Sequence, residues 1–146
     1  MSVGNSPSPA RMAIILTENH VDKLLPFSTL VSGAVAMGFE VHVFASFWGL
    51  DAFRKSSPSP HPPTSPGHGA AGAELESTLA DRKVPSWKSM LSTAKGIGTL
   101  RIYACSQSMQ LFHLTPADLD PIVDEVVGIA TFIDRTRHAE ASYFVG

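Results

Sequence analysis

The sequence predicts an α/β fold, a three-layer α/β/α arrangement around a mainly parallel sheet of about five strands. The first observation behind this prediction is the short continuous apolar run Met12–Leu16, which is typical of a strand covered on both faces. The second is a succession of strand, helix and strand within about 35 residues, the spacing of a βαβ unit. Such a crossover is almost always right-handed and makes its two strands parallel.

The first half of the chain supplies this unit. After Met12–Leu16, apolar residues recur at helical spacing from Leu24 to Met37, and Gly38 is placed to end the helix. Pro26 falls near the helix start, where its missing N–H costs least. Phe39–Ala45 alternates in polarity and carries β-branched residues, so it is predicted to be the second strand.

A segment rich in proline and glycine follows. Ser56–Gly72 holds five prolines and three glycines, which leave little to pack and few groups for a hydrogen-bonded ladder. We predict a mobile loop there, either a functional lid or a disordered excursion. Residues 1–10 are also rich in Ser and Pro and are predicted to be a disordered tail, so that residues 11–146 form a single domain.

The second half is predicted to complete the sheet. Leu100–Ala104 is a buried strand, and Thr115-Pro116-Ala117-Asp118 has the pattern of a helix start that lasts one or two turns before Pro121. The remaining predicted elements are two short helices at Glu74–Leu79 and Lys88–Ala94, a helix from Ile129 to near Ala139, and a last strand at Ala141–Val145.

Composition argues against several classes of function. The 146 residues carry a formal net charge of −2, so the clustered Lys and Arg of a nucleic-acid-binding surface are missing. The amino-terminal residues lack the apolar region of a signal peptide, and no apolar stretch approaches the length of a membrane span. A cytoplasmic location is the expectation, because an unpaired thiol suits a reducing compartment.

Cys105 is the only cysteine and the candidate catalytic residue. It follows the third predicted strand, and Ser106–Ser108 has the polar composition of a turn. Ligands and chemistry collect at this edge of open α/β sheets, where exposed backbone N–H groups favour a thiolate. The competing interpretation is that Cys105 is a small buried hydrophobic residue. One cysteine cannot form an intramolecular disulfide and lacks the partners of a structural zinc site, so no metal is predicted.

Few other side chains are placed to assist Cys105. His20 and His113 are the histidines whose places in the sequence allow them to reach the same crevice. Lys23 has two interpretations, attraction of an anionic donor or a position on the surface. Phe47 and Trp48 have two interpretations as well, as a wall of the crevice or as part of the core.

The other polar residues have simpler interpretations. His61 and His68 are expected to be solvated, His42 to pack within a strand, and His138 to lie near a helix end. Ser106 and Ser108 are expected to shape a turn, because no Ser-His-Asp order is present. Gly96-Ile97-Gly98 precedes a strand instead of following one, so no nucleotide cofactor is predicted.

An ordered set of short motifs resembles the DsrE-like sulfur-carrier family, and in particular its single-domain, peroxiredoxin-like subgroup with an Ala-Cys-x-x-Ser-Met motif. Outside the tail and the Pro-rich loop, the resemblance runs over most of the chain. The motifs are Met12–Leu16, Asp22-Lys23, Ala36–Val41, Phe47–Leu50, Ile102–Cys105 with Ser108-Met109, Asp118-Leu119 and Gly128–Phe132.

The resemblance implies a DsrE/F-like fold, a homotrimer or related ring, and a persulfide carried on Cys105. It also implies protein partners such as a TusA-like carrier or a rhodanese. The chain departs from the family pattern in its proline-rich loop and in His20, which precedes the Asp-Lys pair where smaller residues are common.

The resulting hypothesis is a cytoplasmic sulfur carrier or sulfurtransferase that relays sulfane sulfur through Cys105. A solitary thiol favours transfer over disulfide chemistry, which would need a resolving thiol from another molecule. Two alternatives stay open: a thiol peroxidase or redox sensor that uses the same cysteine, and a noncatalytic binding or assembly subunit in which Cys105 is buried filler.

Overall fold

Five parallel strands form one sheet at the centre of the molecule. The structure, a computed structural model, describes residues 7–57 and 61–146. The spatial order of the strands is β4-β3-β2-β1-β5, and every neighbouring pair runs parallel. Their bounds are β1 Arg11–Leu16, β2 Glu40–Ala45, β3 Leu100–Cys105, β4 Glu125–Val127 and β5 Ala141–Val145.

Helices cover both faces of this sheet, so the predicted three-layer α/β fold is confirmed. Helices α1 and α4 pack on one face and α6 on the other. The helix bounds are α1 Val21–Ala36, α2 Trp48–Asp51, α3 Gly69–Asp81, α4 Trp87–Ile97, α5 Ser106–Leu111 and α6 Ile129–Arg135.

Alternation along the strands divides the core into two clusters of unequal size. Ile14, Val43 and Ile102 point toward α1 and α4 and belong to the larger cluster. The residues next to them in sequence point toward α6, where a smaller cluster gathers around Phe44 and Phe132. Because α6 has only seven residues, the face that it covers keeps exposed apolar side chains.

Helix α1 ends before Gly38, as its sequence predicts, but it begins at Val21, within the predicted polar connection and before Leu24. Pro26 lies in its second turn, and the buried positions recur at helical spacing from Val21 to Val35. The chain leaves the helix through Gly38, whose φ of +88° is accessible to glycine at little cost.

Two predictions for the second half are wrong, and one strand is missing from them. Ser106–Ser108 is the first turn of α5 instead of a loop, because Cys105 caps that helix. Strand β4 was not predicted, and the helix after Gly128 ends at Arg135 instead of near Ala139. The helix start predicted at Thr115–Asp118 is a single 3-10 turn at Pro116–Asp118, where Thr115 and Asp118 form a capping box.

The prediction of a mobile loop at Ser56–Gly72 is also wrong at the carboxyl end of that segment. Residues 69–72 are helical and begin α3, and residues 61–68, which we call the strap, run across the amino-terminal end of α1. Pro62 is buried, so the expectation that this segment has nothing to pack against fails there. Residues 58–60 of the predicted loop, and residues 1–6 of the predicted tail, lie outside the described residues.

Hydrogen bonds hold the strap to its neighbours. Asp22 accepts bonds from the backbone N–H and the hydroxyl of Ser65, both at 2.7 Å, and Val21 donates its N–H to the Pro63 carbonyl at 3.1 Å. His61, expected to be solvated, lies 3.1 Å from the carbonyl of Val84 through Nε2.

Among the described residues, no helix combines the length and the apolar composition needed to cross a membrane.

Candidate functional site

Cys105 is the last residue of β3 and the N-cap of α5. Its Sγ accepts a hydrogen bond from the backbone N–H of Ser108 at 3.5 Å. The residue is only 6% exposed and packs with Val127 and Phe132 on the α6 face of the sheet. The structure therefore places the thiol at the predicted edge of the sheet, in a confined setting that a small reagent reaches more easily than a large one.

The chain segments that follow β3 and β4 go to opposite faces of the sheet, and Cys105 lies where they separate. After β3 the chain turns toward the face that carries α1 and α4, where Leu119 and Ile122 join the larger cluster. After β4 it turns to the opposite face and enters α6. Cys105 and Val127 are register partners at the carboxyl ends of these two strands. Ligands of open α/β sheets bind in the crevice at such a switch point, so the position of Cys105 fits a reactive group.

The chain segments that follow β3 and β4 lie close together on the two sides of this crevice. Gly128 follows β4 and is the N-cap of α6. A Cβ added at Gly128 would lie 3.8 Å from Oγ of Ser106, the residue after Cys105. The segments after β3 and β4 thus approach each other directly beside the thiol.

Ser108 connects the thiol to the end of β2. Its side chain is fully buried, and its Oγ accepts the backbone N–H of Phe47 at 2.9 Å and lies 3.4 Å from Oγ of Ser46. Sequence reasoning assigned Ser108 to a turn and missed this role. The only signal for it was the Ser-Met pair of the Ala-Cys-x-x-Ser-Met resemblance.

Phe47 has an unusual backbone conformation. Its φ of 51° and ψ of −122° lie in a region that residues with a side chain rarely adopt. Its ring contacts Phe112 edge-on at 6.4 Å between centroids, and Trp48 packs against the same Phe112 ring at 5.3 Å. Phe47 and Trp48 are each about half exposed, so they form an aromatic surface beside α5 instead of core.

A polar network fixes α6 on its face of the sheet. Arg135 of α6 makes two hydrogen bonds to Glu125 of β4, at 2.6 and 3.2 Å, and these bonds hold the pKa of Glu125 below its usual range. The Arg135 guanidinium also lies 5.3 Å from the centroid of the Tyr103 ring. Tyr103 in turn bonds to Nδ1 of the buried His42 at 2.9 Å, so the prediction that His42 packs within a strand is confirmed.

The other residues considered as helpers lie apart from the thiol. His20 is the N-cap of α1 and contacts Glu18, whereas Nζ of Lys23 reaches the carbonyl of Gly146 after β5. His113 follows α5 at its far end, with a φ of 54°. No hydrogen bond joins any of these three to Cys105 within the described chain, and they are not grouped around one site.

Metal ligands are not clustered in this part of the molecule. Among residues 7–57 and 61–146, no three His, Cys, Asp or Glu side chains come together in a way that would hold a metal ion.

Comparison with known proteins supports a DsrE-like relationship. Residues 8–73 match the model of the DsrE/DsrF/DrsH-like family. The matched residues run from just before β1 into α3, so they contain the first βαβ unit and do not include Cys105. No curated protein matches the chain.

A solved structure shares the fold. It is described as a protein of unknown function, MTH1491, from Methanobacterium thermoautotrophicum. The two structures superpose with a TM-score of 0.62 over 92% of this chain and 98% of the other, at 17% sequence identity. At this identity the similarity establishes the architecture alone.

Proposed function

We propose that this protein is a sulfur carrier that holds sulfane sulfur as a persulfide on Cys105. The observation that carries the proposal is the position of a solitary cysteine at the switch point of the sheet, with the Ser108 N–H directed at its sulfur. The match to the DsrE/DsrF/DrsH-like family is consistent with a role in sulfur relay.

The chemistry needs only one thiol. The Cys105 thiolate attacks the outer sulfur of a sulfane donor, forming one S–S bond while the S–S bond of the donor breaks and its electron pair leaves with the donor. A thiolate on an acceptor protein then takes that sulfur, and Cys105 leaves as a thiolate. No external oxidant or reductant is consumed in either step.

Cys105 loading with sulfur tests this function directly. After treatment with inorganic polysulfide, the intact mass of the wild type is expected to rise by whole sulfur atoms, and the mass of Cys105→Ser is expected to stay unchanged. Ser106→Ala, next to the thiol, is the matched control and should load as the wild type does. Equal loading of the wild type and Cys105→Ser would contradict the proposal.

The burial of Cys105 favours one alternative, a noncatalytic subunit in which the thiol is core filler. A free thiol that never reacts with polysulfide in the folded protein, but reacts after unfolding, would establish that alternative. A parallel treatment with hydrogen peroxide addresses the thiol peroxidase or redox sensor. Added oxygen on Cys105 without sulfur loading would favour that function.

Partners and assembly are part of the same proposal. A carrier needs a protein donor and acceptor, for which a TusA-like carrier and a rhodanese are the candidates, and a reducing compartment such as the cytoplasm would keep its thiol free. We also propose a closed homo-oligomer, most simply a trimer. Support for it comes from the exposed Ile133 and Phe144 on the face that α6 covers incompletely.

A further inference from the structure

An exposed apolar surface lies at the carboxyl end of the sheet, beside the helix that Cys105 caps. Its members are Phe47, Trp48, Leu111 and Phe112, which we call the aromatic platform. The first three of these side chains are each about half exposed. The rings of Phe47 and Trp48 both pack against Phe112, so three aromatic side chains form one continuous surface.

The turn that presents Phe47 joins β2 directly to α2. Its backbone is strained at Phe47, the N-cap of that helix. A Cβ at Gly49 would overlap the backbone carbonyl of Leu16, so α2 lies tightly against the end of β1. A strained strand-to-helix turn of this kind projects the side chain at its apex above the sheet, as it does for the nucleophile of α/β-hydrolases. Here the projected side chain is an aromatic ring.

Folding gains little from this arrangement. Backbone strain is normally offset by good packing of the strained residue, yet the Phe47 ring stays about half exposed, and so does Trp48 beside it. Large apolar side chains that are held in water at a cost in strain indicate a surface that another molecule covers.

The aromatic platform is continuous with the surroundings of Cys105. The Ser108 N–H donates to Sγ of Cys105 at 3.5 Å, and Oγ of Ser108 accepts the N–H of Phe47 at 2.9 Å. Leu111 and Phe112 follow Ser108 by three and four positions, which places them on the same side of α5. The seven positions from Cys105 to Phe112 span about 10 Å along a helix. A molecule that covers the platform therefore extends to the thiol.

The composition of the platform fits a protein partner. Helix α5, Ser106–Leu111, contains no charged side chain. The guanidinium of Arg54 borders the platform at 5.7 Å from the centroid of the Phe112 ring, and its charge is offset by Asp51 at 3.1 Å. Aromatic residues and arginine are enriched at the centres of protein interfaces, where other charged residues are depleted. Nucleic acid or an anionic membrane would require clustered, unpaired cations instead.

From these observations we infer that the aromatic platform is the surface on which a thiol-bearing partner protein docks to exchange sulfur with Cys105. That the partner bears a thiol rests on the proposed function. Its contact surface is apolar and uncharged, with aliphatic side chains that pack against the three rings. Because Cys105 is only 6% exposed, the partner's cysteine lies on a projecting segment next to these side chains.

The experiment is an NMR titration of the full-length protein with two short peptides of equal length. The apolar peptide has two leucines on each side of a central serine, which replaces the partner's cysteine, and the polar peptide has glutamine in place of each leucine. Trp48 belongs to the platform, whereas the other tryptophan, Trp87, is 2% exposed and serves as the internal control. The apolar peptide should shift the Trp48 indole peak saturably, leave the Trp87 peak in place, and bind about tenfold more tightly than the polar one.

Leu111→Ser should weaken binding of the apolar peptide about tenfold, because it removes an apolar contact of the platform. If that variant does not fold, Phe47→Gly takes its place, since it removes a ring and relieves the backbone strain. Met37→Ser, at a side chain that is 79% exposed elsewhere, is the matched control and should bind as the wild type does. A Trp48 peak that does not move, or that moves together with Trp87, would overturn the docking surface. Equal binding of the two peptides would overturn its apolar recognition, and unchanged binding by the platform variant would overturn its location.

Two further measurements distinguish other occupants. Phosphatidylcholine vesicles that bind the wild type but not Leu111→Ser would make the platform a membrane contact. An oligomer that dissociates in Leu111→Ser would make it a contact between subunits. Either result would overturn the inference.

Sulfur exchange is measured separately with the cysteine forms of both peptides. Persulfidated wild type should transfer sulfur to the apolar form about tenfold faster than to the polar form, and equal rates would contradict docking during exchange. If Cys105 does not load with sulfur while the apolar peptide still binds, the carrier function is contradicted and the docking surface is retained.

Discussion

At Phe47, a single residue carries both an exposed aromatic ring and a strained backbone. A φ of 51° with a ψ of −122° costs a residue with a Cβ about 1–3 kcal/mol. The conformation is held by the bond from the Phe47 N–H to Oγ of the buried Ser108, which itself contacts Cys105. Backbone strain often accumulates at functional sites, and here it lies one hydrogen-bonded residue away from the candidate thiol.

Two substitutions at Phe47 isolate this strain. Phe47→Gly and Phe47→Ala both remove the ring, but only glycine adopts the positive φ without strain. We therefore expect Phe47→Gly to unfold at higher urea concentration than Phe47→Ala, by about 1 kcal/mol in the free energy of unfolding. If alanine were equal to or better than glycine, the backbone at this position would not be strained.

Ser108 is expected to matter for stability as well as for the site. Ser108→Ala leaves the Phe47 N–H without its acceptor, which should lower the free energy of unfolding by about 1–3 kcal/mol. Ser106→Ala removes the same atom from a half-buried position in the same turn and should change stability by less than about 0.5 kcal/mol. Equal losses in the two variants would mean that the bond to Phe47 contributes nothing.

Sequence reasoning found Cys105 but not these neighbours, for a physical reason. A lone cysteine at the end of an apolar strand is visible in the local pattern, and the structure places it there. The bond between Ser108 and Phe47 joins residues 61 positions apart, and nothing in the composition of either segment indicates it. By contrast, the positions of His20 and His113 in the sequence predict that they lie near Cys105, but in the folded structure both lie elsewhere.

At the scale of elements, the strap depends on an ionised carboxylate. Burial raises the pKa of Asp22, but the hydrogen bonds from Ser65 and the contact with His68 outweigh it, so the pKa lies below its usual value of 3.8. A carboxyl group with a depressed pKa stabilises the folded state above its unfolded pKa. That contribution is lost as the pH falls through the lower folded value.

We therefore expect the strap to stay attached at neutral pH and to loosen only below about pH 4. Hydrogen exchange of the Ser65 amide reports attachment directly, because that N–H donates to Asp22. Asp22→Asn should raise its exchange at neutral pH and speed proteolysis within residues 61–68. Asp134→Asn, at an exposed carboxylate elsewhere, is the control. A strap that is equally protected in wild type and Asp22→Asn would contradict this role for Asp22.

The elements that sequence analysis missed are those fixed by distant partners. Strand β4 has only three residues, Glu125–Val127, too few to display a period, and it exists because it pairs with the end of β3. The first turn of α5 has the composition of a loop, and its cap is the cysteine itself. The strap has a composition that favours disorder, yet residues outside it hold it in place. The Asp22 carboxylate accepts a hydrogen bond from Ser65, and Val21 donates its N–H to the Pro63 carbonyl.

At the scale of the whole molecule, the two faces of the sheet are covered to different extents. The face with α1 and α4 is closed, whereas the seven-residue α6 leaves a groove of about 460 Å³ between itself and β5. The apolar side chains around this groove, which we call the α6–β5 face, are more than 45% exposed: Ile129, Ile133 and Phe144. Parallel sheets are normally covered on both faces, so this face lacks a layer that a second copy can provide.

The assembly prediction follows from that face. In light scattering under reducing conditions, the wild type should form a closed oligomer, with a trimer expected, because a closed ring leaves no apolar face open. Ile133→Lys and Phe144→Lys should dissociate it, since each places a charge in the contact. Met37→Lys, which alters a side chain that is 79% exposed outside this face, should not dissociate the oligomer.

The Cys105→Ser variant should keep the oligomer, because a carrier thiol must remain free for its partner protein. A wild type that is monomeric at micromolar concentration would refute the assembly, whereas an oligomer lost in Cys105→Ser alone would make the thiol part of the contact between subunits and refute its role as a free carrier.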